Sequence, residues 1–131
     1  MPKALVEVRR TYARDEEVAI MDAVHDALVT GFKIPAEDRT VRLVAHEPHR
    51  FSCSPQLTDP DRYTLVSIDC FAGRSLDAKR RLYTQIVEGL GALGIPRDHV
   101  TVVLHEVALE NWGIDGGRAA SDVELGFTVQ V

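Results

Sequence analysis

The sequence predicts an α/β fold of the α+β kind: two tandem strand–helix–strand units forming one four-stranded sheet, with both helices on one face. Three observations predict it. Residues 34–43 align without a gap on residues 95–104, sharing an Ile-Pro pair, a Thr-Val pair and a Leu. The chain therefore repeats itself, roughly over 1–60 and 61–131, within a single domain of 131 residues. Each half brackets one stretch of helical apolar spacing with two short apolar stretches. A strand–helix–strand link favours parallel pairing with a right-handed crossover.

The elements follow in order. Residues 3–9 place Leu5, Val6 and Val8 between charged neighbours, a short strand. Asp15 is a good helix N-cap, and Glu16 and Glu17 suit the positive end of the helix dipole. Val18, Met21, Val24, His25 and Leu28 then form an apolar stripe, and Gly31 is a candidate C-cap. Residues 40–46 read as a second strand. Residues 47–62 are loop-like, rich in proline, serine and aspartate, with a short strand expected around 51–53. Residues 63–71 are a strongly apolar third strand. Ala72-Gly73-Arg74 makes a tight turn and Ser75 caps the second helix. Leu82, Tyr83, Ile86, Val87, Leu90 and Leu93 give that helix its buried face, and Gly94 ends it. Residues 100–107 are almost continuously apolar, as expected of an interior strand. From Val123 to Val131 apolar and polar residues alternate strictly. This predicts a C-terminal strand or hairpin against a neighbouring subunit. The helices cover one sheet face only, so the other face is expected to meet further copies of the chain.

Composition narrows the function. A net charge of -5, with dispersed basic residues, argues against nucleic acid as the partner. No apolar run approaches a membrane span, and no signal-peptide pattern opens the chain. Cys53 and Cys70 are expected to be free thiols of a cytoplasmic protein. His46, His49, His105 and Glu106 match no metal-binding motif, so no metal is expected.

Pro2 is the first candidate for chemistry. Removal of Met1 would leave its secondary amine free at a sheet end, and an α-amine has a reference pKa of about 7.7–8.0, near the useful range for a general base. Arg74, between a strand end and a helix cap, is placed to bind a substrate carboxylate and stabilise an enolate. By spacing alone, a surface arginine in a strand–helix turn is the commoner reading. Asp38 precedes the second strand, where it can orient water or hold the Pro2 amine; aspartate is also an ordinary turn residue. His25 reads by spacing as a core histidine, and Trp112 as a pocket wall or a core residue.

Met-Pro before a strand, the doubled strand–helix–strand plan, Gly73-Arg74-Ser75 before the second helix and Asn111-Trp112-Gly113 near the end together resemble the tautomerase superfamily. The resemblance covers essentially the whole chain. It is strongest to the longer members related to malonate semialdehyde decarboxylase and cis-3-chloroacrylic acid dehalogenase. It implies a homotrimer whose pockets each adjoin an amino-terminal proline and are completed by a neighbouring subunit. It also implies catalysis without a cofactor. Pro2 matches the family's proline, Arg74 its carboxylate-binding arginine and Asp38 the decarboxylase aspartate. His25 matches a histidine of the first helix and Trp112 a pocket-wall tryptophan; Asn111 is taken with them as substrate-binding. The decarboxylase and dehalogenase branches carry two arginines at this turn, whereas Phe71 and Ala72 stand where the second would sit.

The expected function is a tautomerase acting on a small enol or 2-keto carboxylic acid, with Pro2 as base. Two alternatives stay open. One is decarboxylation or hydration of a three-carbon acid by a protonated Pro2. The other is a small-ligand-binding oligomeric module, which needs no free amine.

Overall fold

The computed structural model describes residues 2–129. Strands β1 (Lys3–Val8), β2 (Val41–Ala45), β3 (Thr64–Phe71) and β4 (Val100–Val107) form one sheet in the order β2-β1-β3-β4. Strands are parallel within each unit, with Ala4 beside Val41 and Thr64 beside Val100. The units join antiparallel through β1 and β3, where Val6 faces Val66. Helices α1 (Arg14–Phe32) and α2 (Leu76–Gly91) pack on each other and on the sheet. Ala4, Val6, Val8, Val66 and Ile68 of the sheet meet Leu28, Phe32, Leu82, Ile86 and Leu90 of the helices in one buried cluster.

Several local expectations need correction. β4 is an edge strand, not an interior one: each unit adds its second strand outside its first. Its residues accordingly alternate, with Val103 38% exposed. The N-cap of α1 is Ala13, not Asp15. Glu16 Oε1 reaches back to accept the Ala13 N–H at 3.1 Å, so a carboxylate from the first turn does what a capping side chain would. α1 also runs past Gly31 and ends at Lys33, in the left-handed region at φ 54°. α2 ends at Gly91, before Gly94, and leaves Leu93 39% exposed. Residues 51–53 form no strand. Two 3-10 turns, Pro48–Arg50 and Pro60–Arg62, bracket that region instead, each with proline where its missing N–H is harmless.

A C-terminal hairpin is present, upstream of the alternating tail: β5 (Gly113–Ile114) pairs antiparallel with β6 (Arg118–Ala119). Residues 123–129 form no strand. Phe127 packs instead against the core cluster. Gln130 and Val131, the end of the alternating stretch, lie outside the described residues. Away from the helices, the sheet presents half-buried Leu5 and Leu65 with exposed Val44, among the polar side chains of Lys3, Glu7, Asp69 and His105. Among the described residues no helix is long and apolar enough to cross a membrane.

Gly31 is needed where it stands. A Cβ there would lie 2.9 Å from Leu82 Cα, backbone against backbone, at the α1–α2 crossing. Gly31→Ala is therefore expected to destabilise the fold in urea. Overpacking costs about 1–3 kcal/mol, outweighing a helix-propensity gain of about 1 kcal/mol. Gly91, with nothing within 4 Å of such a Cβ, is the control. Gly91→Ala should leave stability unchanged or slightly raised.

Candidate active site

Strand register assembles the candidate residues at one end of the sheet. β1 pairs Lys3 with Asp69, so the register continued by one residue sets Pro2 beside Cys70. On the other side the Ala4 N–H donates to Thr40 O at 3.1 Å, bringing the loop that carries Asp38 against the start of β1. β3 pairs Cys70 with Glu106 and Phe71 with Val107. Pro2 itself is buried. It shares the parity of Ala4, Val6 and Val8, which pack under the helices.

Arg74 is not a surface arginine. It is 5% exposed. Its guanidinium carbon lies 4.6 Å from the centre of the Phe32 ring, and Nη1–H donates to Phe71 O at 3.2 Å. Its Nε and Nη2 are buried and have no hydrogen-bond partner among the described residues. Burial pulls the guanidinium pKa down, while Cys70, Glu106 and Asp38 act to hold it up. The turn before it is built on Gly73 at φ 130°, a backbone state suited to glycine. Ser75 Oγ then caps α2 by accepting the Ala78 N–H at 3.1 Å.

Of the remaining predicted residues, Asp38 is near enough for its charge to act on this guanidinium. Asp38 is half-buried, and its N–H donates to Pro35 O at 3.0 Å. It lines a recess of about 450 Å3 whose opposite wall is Ile114, Val123, Leu125 and Phe127. Trp112 packs edge-on against Phe71, with centroids 5.0 Å apart, and its Nε1–H donates to Val107 O at 3.1 Å. Trp112 thereby braces the residue whose carbonyl holds Arg74. His25 is buried, and its Nε2–H donates to Ala36 O at 2.7 Å. It fastens the loop carrying Asp38 to α1. Asn111 is exposed, on the 3-10 turn Leu109–Asn111.

Three neighbours escaped the sequence reading as parts of this site: Cys70, Glu106 and Lys79. Only strand register brings Glu106 and Cys70 beside the turn, and no local motif marks them. Glu106 Oε1 accepts from Lys79 Nζ at 2.5 Å and lies near the Gly73 backbone. The Lys79 hydrogen bond holds the Glu106 carboxyl below its usual value, and Glu106 in turn raises Lys79. The pair thus contributes stability above the unfolded glutamate value of about 4.3, which is lost as pH falls through the lowered folded value. On the alkaline side its contribution is present below about 10.4 and is lost as pH rises through the raised lysine value. Glu106→Gln should remove both limbs of that contribution, read as urea midpoints from pH 3 to pH 11 against the parent chain. Burial pushes the Cys70 thiol up, so it is a packing thiol at neutral pH. Cys53 and Cys70 are both free. Among the described residues no group of three or more His, Cys, Asp or Glu is placed to hold a metal ion.

Comparison with known proteins agrees with this fold. A family model described as tautomerase enzyme matches residues 38–115. A probable tautomerase of Ralstonia nicotianae is 32% identical over 53 residues, which are 40% of this chain and 76% of that protein. Among solved structures, a malonate semialdehyde decarboxylase inhibited by 3-bromopropiolate is similar at a TM-score of 0.74, with 32% identity over 89% of this chain and 92% of that one. A second malonate semialdehyde decarboxylase, described with decarboxylase and hydratase activities, superposes at 0.80 with 24% identity over 93% and 99%. A fused 4-OT described as an asymmetric trimer superposes at 0.81 with 20% identity over 92% and 97%. The last two likenesses speak for the fold. With the family match spanning more than half of its residues, the chain belongs to the tautomerase superfamily.

Proposed function

We propose that this chain is a tautomerase that moves a proton within a small enol or 2-keto carboxylic acid. Pro2 is the base once Met1 has been removed. The observation that carries the reading is the Arg74 guanidinium: buried, charged, and with two nitrogens lacking hydrogen-bond partners among the described residues. A substrate carboxylate satisfies such donors well, because charge-assisted hydrogen bonds strengthen away from water. In this mechanism Pro2 takes a proton from the enol hydroxyl or from carbon and returns it at another carbon. Arg74 binds the carboxylate and stabilises the developing enolate. Asp38 tunes the Pro2 amine or orders water. Trp112 keeps the site dry, His25 holds the Asp38 loop in place, and Asn111 contacts substrate at the rim. The chemistry proposed needs no cofactor. The test is turnover of phenylenolpyruvate by the Met1-processed chain and by Pro2 and Arg74 variants.

The malonate semialdehyde decarboxylase at 32% identity over 89% of the chain favours one second reading. There Pro2 is protonated and Asp38 activates water, giving decarboxylation or hydration of a short acid. The protonation state of the amine separates the two.

The assembly proposed is a homotrimer in a cytoplasmic setting, closed through the sheet face bearing Leu5, Val44, Leu65 and Val103. The fused 4-OT described as a trimer supports it. Light scattering should return about three times the 14.5 kDa chain mass. A monomer at working concentration would contradict this assembly.

A further inference from the structure

The turn that delivers Arg74 is tied to β4. Strand register sets Glu106 beside buried Cys70, on the helix side of the sheet. β4 is an edge strand, and from it the Glu106 carboxylate reaches the link between β3 and α2. Its Oε1 accepts from Lys79 Nζ at 2.5 Å, in the first turn of α2. The same carboxylate accepts the Gly73 N–H. An ionised carboxylate has acceptor capacity for both.

Residues on either side of Gly73 have bonds of their own. Val107 O accepts the Ala72 N–H at 3.2 Å as well as the Trp112 Nε1–H, and Phe71 O accepts from Arg74 Nη1. Glu106 acts at Gly73 itself. That residue sits at φ 130° and has no side chain to lock its backbone. A rotation there would swing the residue that follows, Arg74.

We propose that Glu106 is a positioning residue: through the Gly73 N–H it fixes the turn that aims the Arg74 guanidinium, and Lys79 keeps the carboxylate in place. A link that only bolted α2 to β4 would need the Lys79 contact and not the one to Gly73. The carboxylate is also near enough for its charge to support that of the guanidinium. The effect on catalysis rests on the reading of Arg74 as the carboxylate binder; the effect on Arg74 itself does not.

The test is the Arg74 Nε–H resonance of the full chain in ¹⁵N NMR, assigned by its loss in Arg74→Ala, together with steady-state kinetics. The parent should give one sharp, slowly exchanging signal, as befits a buried group. In Glu106→Ala that signal should broaden or split and exchange about tenfold faster, the scale of one lost hydrogen bond. The Ala78 amide, capped by Ser75, should keep the parent rate. Glu106→Gln loses the ion pair but keeps an oxygen for the Gly73 N–H, and should restore the parent signal. With phenylenolpyruvate, Glu106→Ala should raise KM about three- to tenfold at nearly unchanged kcat, and leave the methyl ester unaffected. An Arg74 signal unchanged in Glu106→Ala, or disturbed equally in Glu106→Gln, would overturn the proposal and leave the ion pair a bolt for stability. If Arg74 loosens but acid and ester suffer alike, the positioning stands and the carboxylate role of Arg74 fails.

Discussion

Replacing Pro2 by alanine is expected to lower turnover of phenylenolpyruvate by about 10²–10⁴-fold, the range that general acid–base catalysis supplies. Alanine keeps an α-amine, so basicity alone does not account for the loss. The proline ring fixes the direction of its lone pair, and burial at the start of β1 holds that ring in place. A primary amine on a smaller residue swings freely, and misplacement of a base by about 1 Å can cost 10²-fold. A base working at neutral pH has to be largely unprotonated there, so the account requires Pro2 to titrate at or below neutrality. One further chain makes the argument sharper. Adding a residue before Pro2 turns the amine into an amide with no basic lone pair, and activity should vanish while the fold remains. Intact mass of the parent protein shows whether Met1 has been removed.

Arg74→Ala is expected to cost about 10–100-fold in kcat/KM for the acid, mostly through KM. That range matches the loss of charged hydrogen bonds at about 1.5–3 kcal/mol. Arg74→Lys should rescue little, because an ammonium cannot reproduce the planar fork or the stack on Phe32. The guanidinium also holds Phe71 O, so stability will fall somewhat in either variant. The methyl ester of the substrate separates the two roles. The parent protein should strongly prefer the free acid. Arg74→Ala should treat acid and ester alike. If instead the variant keeps the parent preference for the acid, Arg74 is a structural bolt and the carboxylate is held elsewhere.

Much of this arrangement was legible in the sequence, and the parts that were not share a cause. The repeat of residues 34–43 in 95–104 predicted the doubled unit, the parallel pairs and both helices, because apolar spacing and Ile-Pro punctuation are local signals. Ser75 was readable as a cap for the same reason. The place of β4 at the edge was not readable, since an almost continuous apolar run does not reveal which neighbours a strand has. Gly31 looked like a helix stop; the close approach of Leu82, far along the chain, explains its presence better. At the site, Pro2, Arg74 and Asp38 stood out through motif and position. Cys70, Glu106 and Lys79 join them only through strand register and a cross-element ion pair.

The central claim is that Pro2 is a base, and titration of its nitrogen tests it most directly. The Met1-processed chain, labelled with ¹⁵N-proline, is followed by NMR from pH 4 to pH 11. The account predicts that the N-terminal nitrogen titrates at or below neutrality and that the acid limb of kcat/KM for phenylenolpyruvate follows the same midpoint. An amine that titrates well above neutrality, with turnover carried by its protonated form, would contradict the base assignment and favour decarboxylation or hydration.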